Sequence, residues 1–263
     1  MIMVKNILLS LVLVFSSSVV TAEGTAVSYG HIHLAAPDPV EAANWYAKHF
    51  GGSVAGFGGA TGADVEIDRV YFGDIPVIFF NREPGEGSVG SGVDHIGFSM
   101  PDVASKIQSL VEDGATQLGE ITKLGNIELG FITDPWGTKI EIVDQPAQRG
   151  LHHIHIYTPN PDTTLAWYQK AFGGEITHLT GDIVGINYDE KIWLFARKSP
   201  GDVAPTQGRS LDHLGWNFLN LDEAAARLKA AGIKFTLEPR DYRGIRIAFI
   251  EGPDGVRIEL VEP

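Results

Sequence analysis

The sequence predicts an α+β fold built from four copies of a βαβββ unit. One observation is a long repeat, because HIHLAAPDPVEAANWYAKHFGG at 31–52 returns as HIHIYTPNPDTTLAWYQKAFGG at 153–174. The second observation is a looser version of this pattern after each copy, starting near Val93 and Leu211. Self-similarity with a long period indicates duplicated structural units. The 263 residues are enough for two compact domains, which we expect to contain two units each.

The first unit begins with a strand that places His31 and His33 on the same face, because side chains alternate along a strand. Asp38 fits the N-cap of the following helix, with proline next to it at the first helical position. The glycine pair 51–52 ends that helix. The clearest later strands are Arg69 to Phe72 and Pro76 to Phe80.

The other three units repeat this order of elements. In the second unit, a strand from Val93 to Met100 precedes a helix that opens at Asp102. In the third, Asn160 is the expected helix cap, and in the fourth a helix is expected from Leu221 to Ala231. The units are predicted at 27–83, 91–145, 150–198 and 210–262, and they form domains at 27–147 and 150–263.

A histidine on the first strand of each unit precedes an Asp or Asn by seven residues. The turn residue has a structural reason to recur, since Asp and Asn cap helices. Neither strand propensity nor packing selects histidine, so its recurrence indicates a shared function rather than four ordinary core or surface residues. The pairs are His31/Asp38, His95/Asp102, His153/Asn160 and His213/Asn220.

The last strand of each half contains a glutamate between apolar neighbours. A solvated edge strand would explain one such residue, but each accompanies two strand histidines in its half. Two imidazoles and a carboxylate are typical donors of a divalent-metal site with open positions, and the absence of cysteine leaves only nitrogen and oxygen ligands. The predicted sets are His31, His95 and Glu141 in the first half and His153, His213 and Glu259 in the second.

The repeated units resemble the vicinal oxygen chelate superfamily, which includes glyoxalase I, extradiol dioxygenases and antibiotic-resistance proteins. The motifs are the first-strand histidines, WY…FGG at 45–52, DPWG…E at 134–141 and GPDG…E at 252–259. The resemblance implies that paired units form two cup-shaped incomplete barrels with the histidines and glutamates facing a metal ion. It also implies that His33 and His155 lie one step along the same face, as substrate-binding residues.

The chain departs from the family pattern at two positions. By this resemblance, Phe79 and Leu194 stand where glyoxalase-type members have a carboxylate that serves as catalytic base, and Phe131 and Phe249 stand where the dioxygenases have a tyrosine. The remaining donors are similar to the two-His-one-Glu face of the dioxygenases and favour Fe(II) or Mn(II), with Zn, Ni or Co as alternatives. Arg246 falls where many members have an arginine, so it could bind a substrate carboxylate, or it could belong with Arg240 and Arg243 to a solvated surface cluster.

Charge and the N-terminal segment limit the cellular role. The 33 acidic and 20 basic residues give a surface that repels nucleic acid and anionic lipid, so a nucleic-acid partner is not expected. Residues 1–22 are typical of a signal peptide, with Lys5, an apolar run and a small-residue exit at 20–22 that predicts cleavage after Ala22. The alternative is a membrane anchor that stays attached, but the apolar run is short for a bilayer span. We therefore expect export to the periplasm or medium and no membrane contact after cleavage, whereas self-association as a homodimer stays open.

The sequence predicts an exported metal-dependent enzyme that acts on a small molecule with two adjacent oxygen atoms. A dioxygenase-like reaction fits the open metal face best, and a glyoxalase-like lyase or isomerase is next. The alternatives are a protein that sequesters a small ligand without catalysis, as the resistance proteins do, and a duplicated scaffold that traps metal incidentally.

Overall fold

The computed structural model describes residue 26 and residues 28–181 and 183–263. The predicted signal peptide at 1–22 lies outside this part of the chain. None of the helices in the described part combines the length and apolar character needed to cross a bilayer.

Each of the four units contains one helix and four strands, as the repeat predicts. The first two are β1 (Ser28–Ala36), α1 (Pro39–Phe50), β2 (Ser53–Ala55), β3 (Arg69–Phe72) and β4 (Ile75–Asn81), then β5 (Val93–Ser99), α2 (Val103–Glu112), β6 (Thr116–Leu124), β7 (Ile127–Thr133) and β8 (Lys139–Val143). The last two are β9 (Gly150–Thr158), α3 (Pro161–Phe172), β10 (Glu175–Thr180), β11 (Ile183–Tyr188) and β12 (Ile192–Lys198), then β13 (Leu211–Asn217), α4 (Leu221–Ala230), β14 (Phe235–Tyr242), β15 (Ile245–Glu251) and β16 (Arg257–Glu262).

The strands form two curved eight-stranded sheets, which confirms the α+β fold of four units paired into two cups. The first cup has the order β14-β15-β16-β13-β1-β4-β3-β2, and the second has β10-β11-β12-β9-β5-β8-β7-β6. The first unit therefore pairs with the fourth, and the second with the third. The expectation that the two units of one half share a sheet is wrong. The contacts that join units are antiparallel, between β1 and β13 and between β5 and β9.

α1 and α3 each pack on one sheet and contact a strand of the other, so they join the units of one half. α1 packs on β3 and β4 of the first cup, while its Phe50 stacks on Phe98 of the second cup with ring centroids 3.9 Å apart. Phe172 of α3 stacks in the same way on Trp216 at 4.1 Å. Units of one half thus meet through their helices and large aromatic side chains, whereas the cups form between halves.

The predicted helix caps are confirmed in part. The Asp38 side chain accepts from the backbone N–H groups of Val40 and Glu41, and Asn220 accepts from that of Glu223. Asp102 and Asn160 make no side-chain cap bond. Asp102 instead has a left-handed backbone with φ of 59°, a conformation that Asp tolerates better than most residues.

Candidate metal centres

In each cup a glycine lies between a histidine and a glutamate on three neighbouring strands. Strand register aligns His31 of β1 with Gly215 of β13, and Gly215 with Glu259 of β16. A Cβ atom on Gly215 would lie 2.2 Å from Cε1 of His31, so the histidine ring occupies the space that a side chain would fill. The missing side chain brings the imidazole over the middle strand and next to the carboxylate.

The first cup collects four donor side chains at this point. Nε2 of His31 lies 2.9 Å from Oε2 of Glu259, and Nε2 of His213 lies 3.1 Å from the same oxygen. Nδ1 of His33 lies 3.0 Å from Nε2 of His213, because β1 and β13 pair these two residues directly. One donor atom from each of the four residues lies within 4.8 Å of the others.

The second cup repeats the arrangement with His95, Glu141, His153 and His155. Nε2 of His95 lies 3.0 Å and Nε2 of His153 lies 3.2 Å from Oε2 of Glu141. Gly97 is the middle glycine, and a Cβ atom there would lie 2.0 Å from the His153 ring. These four residues also offer donor atoms within 4.8 Å of one another.

The donor atoms fit a divalent ion. Nε2 of His31 and Nε2 of His153 are buried and make no hydrogen bond in the described part of the chain, although each is close to a carboxylate oxygen. A buried nitrogen without a partner is costly, and a shared cation would satisfy it together with the carboxylate. Three imidazoles and one carboxylate suit several divalent first-row metals.

A second carboxylate orients one histidine in each cup. Nδ1 of His213 donates to Asp212 at 2.7 Å, and Nδ1 of His95 donates to Asp94 at 2.7 Å. This contact puts the proton on Nδ1 and leaves the Nε2 lone pair for a metal, as is common for metal-binding histidines. Cations neutralise both aspartates: Arg82 and Arg257 contact Asp212, and Lys139 contacts Asp94.

The pKa values of the histidines are shifted in different directions. Burial lowers the pKa of His31 and His153, and it lowers the pKa of His33 and His155 well below the usual value. Burial acts the same way on His95 and His213, but hydrogen bonds to Asp94 or Asp212 and to the nearby glutamate outweigh it and raise the pKa of both. Burial opposes ionisation of Glu141 and Glu259, yet their histidine partners hold the pKa of each well below its usual range.

The predicted ligand sets were grouped wrongly. All six predicted metal ligands lie in the two clusters, but each cluster draws on both halves of the chain. His31 lies with His213 and Glu259, and His153 lies with His95 and Glu141, because the cups form between units one and four and between units two and three. His33 and His155, predicted as substrate-binding residues, are within the clusters. Whether either cluster binds metal stays a prediction.

Arg246 does not face the cup, contrary to the prediction that it fixes a substrate. Its neighbours on the strand, Ile245 and Ile247, have the opposite orientation, and Ile245 lines the cavity of the first cup. The guanidinium pairs with both carboxylate oxygens of Asp222 on α4, at 2.9 and 3.0 Å. Arg246 therefore joins the sheet to a helix.

The positions assigned to a missing fourth carboxylate also need correction. Phe79 packs against Tyr46 of α1, and Leu194 belongs to the buried core. The neighbouring residues face the histidines instead: Phe80 stacks on His33 with ring centroids 3.8 Å apart, and Phe195 contacts His153. These cup-facing positions of β4 and β12 are aromatic, so they supply no carboxylate.

Several residues of the two centres were not predicted from the sequence. Asp94, Gly97, Asp212 and Gly215 belong to a second repeat, Asp-His-x-Gly, at 94–97 and 212–215. This motif recurs on two strands, as the histidine spacing does, so it could have been found in the sequence. Its aspartate is the carboxylate that orients one histidine, and its glycine leaves the space for the ring of the other. His152 carries no such signal, because glycine occupies the equivalent position 30.

Each cluster lies at the wall of a cavity. The cavity of the first cup has a volume of about 730 Å³ and includes charged side chains, among them Glu66, Arg69 and Arg243. The cavity of the second cup is about 350 Å³ and is lined mainly by aliphatic side chains and Phe195. Both are large enough for a small-molecule ligand.

Comparison with known proteins identifies the family. The family model of the Glyoxalase/Bleomycin resistance protein/Dioxygenase superfamily matches residues 28–142 and 150–260. A curated protein of Arabidopsis thaliana, "Probable lactoylglutathione lyase, chloroplastic", is 24% identical over 197 residues. That match covers 70% of this chain and 56% of the relative, so it spans little more than half of the relative's length.

Solved structures share the fold. Glyoxalase I from Zea mays superposes with a TM-score of 0.71 at 19% identity, covering 89% of this chain and 92% of the maize chain. A putative dioxygenase from Bacillus subtilis superposes with a TM-score of 0.63 at 16% identity, covering 92% of this chain and 86% of the other. At these identities the likeness establishes the architecture alone.

Proposed function

We propose that this chain, which belongs to the Glyoxalase/Bleomycin resistance protein/Dioxygenase superfamily, is a metal-dependent enzyme acting on a small molecule with two adjacent oxygen atoms. The observation that carries this proposal is the pair of clusters of three histidines and one glutamate, each with its donor atoms within 4.8 Å of one another. Each cluster adjoins a cavity of ligand size.

The residues around each cluster prepare it for a cation. A bound divalent ion would act as a Lewis acid toward the two substrate oxygens. Glu259 and Glu141 supply the negative charge, and the Asp212 and Asp94 carboxylates fix the tautomer of one histidine in each cup. Phe80 and Phe195 form apolar walls beside the clusters. Fe(II) and Mn(II) are the first ions to test, followed by Zn, Ni and Co.

A dioxygenase-like reaction is the first candidate. The cup-facing positions of β4 and β12 next to the histidines carry Phe80 and Phe195, so no carboxylate base stands there to move a proton between substrate carbons. A glyoxalase-like lyase or isomerase is the second candidate, and the Arabidopsis relative described as a probable lactoylglutathione lyase favours it.

A direct assay separates the two reactions. We would purify the chain without an affinity tag, load it with each metal in turn and record oxygen uptake in the presence of catechols with different substituents. The same samples would be tested for formation of lactoylglutathione from methylglyoxal and glutathione. Metal-dependent oxygen uptake that is lost in Glu141→Ala or Glu259→Ala supports the first candidate, and lactoylglutathione supports the second.

The non-catalytic alternative makes a different prediction. A protein that only sequesters a small ligand would bind catechols tightly without metal and would turn over neither substrate. Equal affinity for 4-nitrocatechol in the metal-free and metal-loaded chain would favour sequestration, because the clusters of histidine and glutamate would then contribute nothing to binding.

We also propose export, on the pattern of residues 1–22 alone. Expression of the full chain in a Gram-negative bacterium, followed by osmotic shock and N-terminal sequencing, tests it. A periplasmic product that begins at Glu23 supports cleavage after Ala22. An uncleaved product in the cytoplasm contradicts export.

A further inference from the structure

The second cup has an additional histidine at a β-bulge. The pairing of β9 with β5 passes from Leu151 directly to His153, so His152 is an extra residue on its strand. Successive side chains of a regular strand point to opposite faces, whereas a bulge changes the direction of a side chain. Accordingly, His152 and His153 both line the cavity of the second cup.

The first cup has no side chain at the equivalent position. The pairing of β1 with β13 skips residue 30 in the same way, and this residue is glycine. A Cβ atom on Gly30 would lie 3.0 Å from the carbonyl oxygen of Gly215 and 3.0 Å from Oδ1 of Asn217. A side chain at position 30 would crowd the neighbouring strand, so any role of His152 is specific to the second cup.

His152 contacts His153 through the ring nitrogen that does not face the carboxylate. Nδ1 of His153 lies 2.9 Å from Nδ1 of His152, whereas Nε2 of His153 lies 3.2 Å from Oε2 of Glu141. The two nitrogens of His153 therefore have different neighbours. One faces the candidate metal ligands and the other faces a second imidazole.

The short contact assigns the proton of His153. Two ring nitrogens 2.9 Å apart need one N–H group and one lone pair between them. A neutral His153 that gives its Nε2 lone pair to a cation has its proton on Nδ1, so it donates and Nδ1 of His152 accepts. The proton of a neutral His152 is then on Nε2, on the far side of that ring.

Packing alone does not explain histidine at position 152. The residue is only 1% exposed, and its Nε2 has no hydrogen-bond partner in the described part of the chain. A buried polar atom without a partner is destabilising, and an aliphatic side chain would fill the same space without one. The hydrogen bond with His153 gives a reason for an imidazole there.

We propose that His152 is a positioning residue of the second cup, where its Nδ1 accepts Nδ1–H of His153 and so directs the Nε2 lone pair of His153 toward a metal ion. Asp94 acts on His95 in the same way through a carboxylate, so two of the three histidines of this cluster have an orienting partner. The inference rests on the proposed metal-dependent function and adds a residue outside both clusters.

Two substitutions separate the hydrogen bond from the packing of the ring. His152→Asn places an amide oxygen close to where Nδ1 lies, so it keeps an acceptor for His153. His152→Leu has a similar size and no acceptor. Both are made in the Glu259→Ala background, in which the first cup lacks its carboxylate, and Zn(II) affinity is measured by competition with a chromophoric chelator.

We expect His152→Leu to weaken Zn(II) binding about tenfold relative to the Glu259→Ala chain, the scale of losing the partner of a metal-binding histidine. His152→Asn should bind Zn(II) nearly as tightly as the Glu259→Ala chain does. The control is the Glu141→Ala background, in which the second cup lacks its carboxylate. There His152→Leu should leave Zn(II) affinity unchanged.

Nitrogen-15 NMR of the Zn(II)-loaded Glu259→Ala chain gives a second readout, because it distinguishes the protonated nitrogen of an imidazole from the metal-bound one. The proton of His153 should be on Nδ1 in this chain and in its His152→Asn variant. A proton on Nε2 of His153 overturns the inference, because that nitrogen could not then bind the ion.

The affinities decide between the hypotheses. Full Zn(II) affinity in His152→Leu overturns the inference, and so do equal losses in His152→Leu and His152→Asn, which would show that the ring only fills space. Zn(II) binding that survives either failure leaves the proposed function standing. A chain that binds no Zn(II) in either background overturns the proposed function and this inference with it, since such donors bind Zn(II) more tightly than Fe(II) or Mn(II).

Discussion

At the scale of single residues, two glycines determine where the histidines lie. Gly215 and Gly97 leave the space that the rings of His31 and His153 occupy, with virtual Cβ distances of 2.2 and 2.0 Å. Any side chain would displace a ring whose Nε2 is a candidate ligand. These glycines have ordinary backbone angles, so the requirement is for close approach and not for a left-handed conformation.

We predict that Gly215→Ala abolishes metal retention by the first cup and leaves the second cup intact. The added methyl group must push the His31 ring away from Glu259, and the overpacking should also cost about 1–3 kcal/mol of stability. Metal content by mass spectrometry and urea unfolding would measure both effects.

Gly201→Ala is the matched control, because nothing lies within 4 Å of the added atom. It should keep both the metal content and the unfolding midpoint. Full metal content in Gly215→Ala would show that the His31 ring has no fixed role in the centre.

Protonation of the centres makes metal binding depend on pH. The raised pKa of His213 means that its ring keeps a second proton, on Nε2, to a higher pH than an ordinary histidine, whereas the lowered pKa values of His31 and Glu259 leave both ready to bind. Binding must release about one proton per cup, so affinity should rise about tenfold per pH unit below the pKa of His213 and level off above it.

Calorimetry in two buffers of different ionisation enthalpy counts this proton. Asp212→Asn removes the carboxylate that raises the pKa of His213, so its plateau should begin at lower pH. Affinity that falls as pH rises would contradict the assignment of His213 as a protonated ligand.

At the scale of elements, the repeated helices make different contacts at equivalent tyrosines. Tyr46 of α1 donates to Oδ2 of Asp134 at 2.7 Å. The equivalent Tyr168 of α3 is buried, and its hydroxyl has no hydrogen-bond partner in the part of the chain that the structure describes. Gly252 stands where the first half has Asp134, so the equivalent turn of the second half has no carboxylate to accept a hydrogen bond from Tyr168.

We predict that Tyr46→Phe destabilises the protein by about 1–3 kcal/mol, since it leaves a buried carboxylate short of a donor. Tyr168→Phe removes the same atom from a position without an acceptor, so its effect should lie within about 0.5 kcal/mol of zero. Urea denaturation of both variants measures the difference. Equal losses would show that the Tyr168 hydroxyl has a partner that satisfies it.

Strands and helix caps could be predicted from the sequence where neighbouring residues alone determine them. The strand Lys139–Val143 and the Asp38 cap follow from alternation and from capping chemistry. The failure of Asp102 and Asn160 to cap was not predictable, because the same side chain can satisfy a helix end or leave it to other groups. The inward position of His33 and His155 follows from alternation, but their contact with the clusters depends on which strand lies beside them.

At the scale of the whole molecule, four similar units can pair in more than one way. Pairing within halves and pairing between halves both give eight-stranded cups with the same kinds of residue inside, so periodicity cannot choose between them. The lengths of the connections carry a weak signal. The short connection 144–149 joins β8 and β9 in one sheet, whereas the longer segments 82–92 and 199–210 run between sheets and contact each other.

The donor types and positions were therefore predictable from the sequence, and their grouping was not. His31 and Glu259 are near opposite ends of the sequence. The pairing of β1 with β13, and of β13 with β16, brings Nε2 of His31 to 2.9 Å from Oε2 of Glu259. One chain supplies all four candidate donors of each cup, so neither cluster needs a second copy. Homodimerisation stays a prediction.

We predict that each metal centre draws its ligands from both halves of the chain. The most direct measurement is the metal content of two double variants after dialysis against a weak chelator, so that a cup lacking a donor loses its ion. His31→Ala with His213→Ala damages only the first cup and should retain about one ion per chain. His31→Ala with His95→Ala damages both cups and should retain none. The reverse pattern, with no ion retained by the first double variant and one by the second, would contradict ligand sets drawn from both halves.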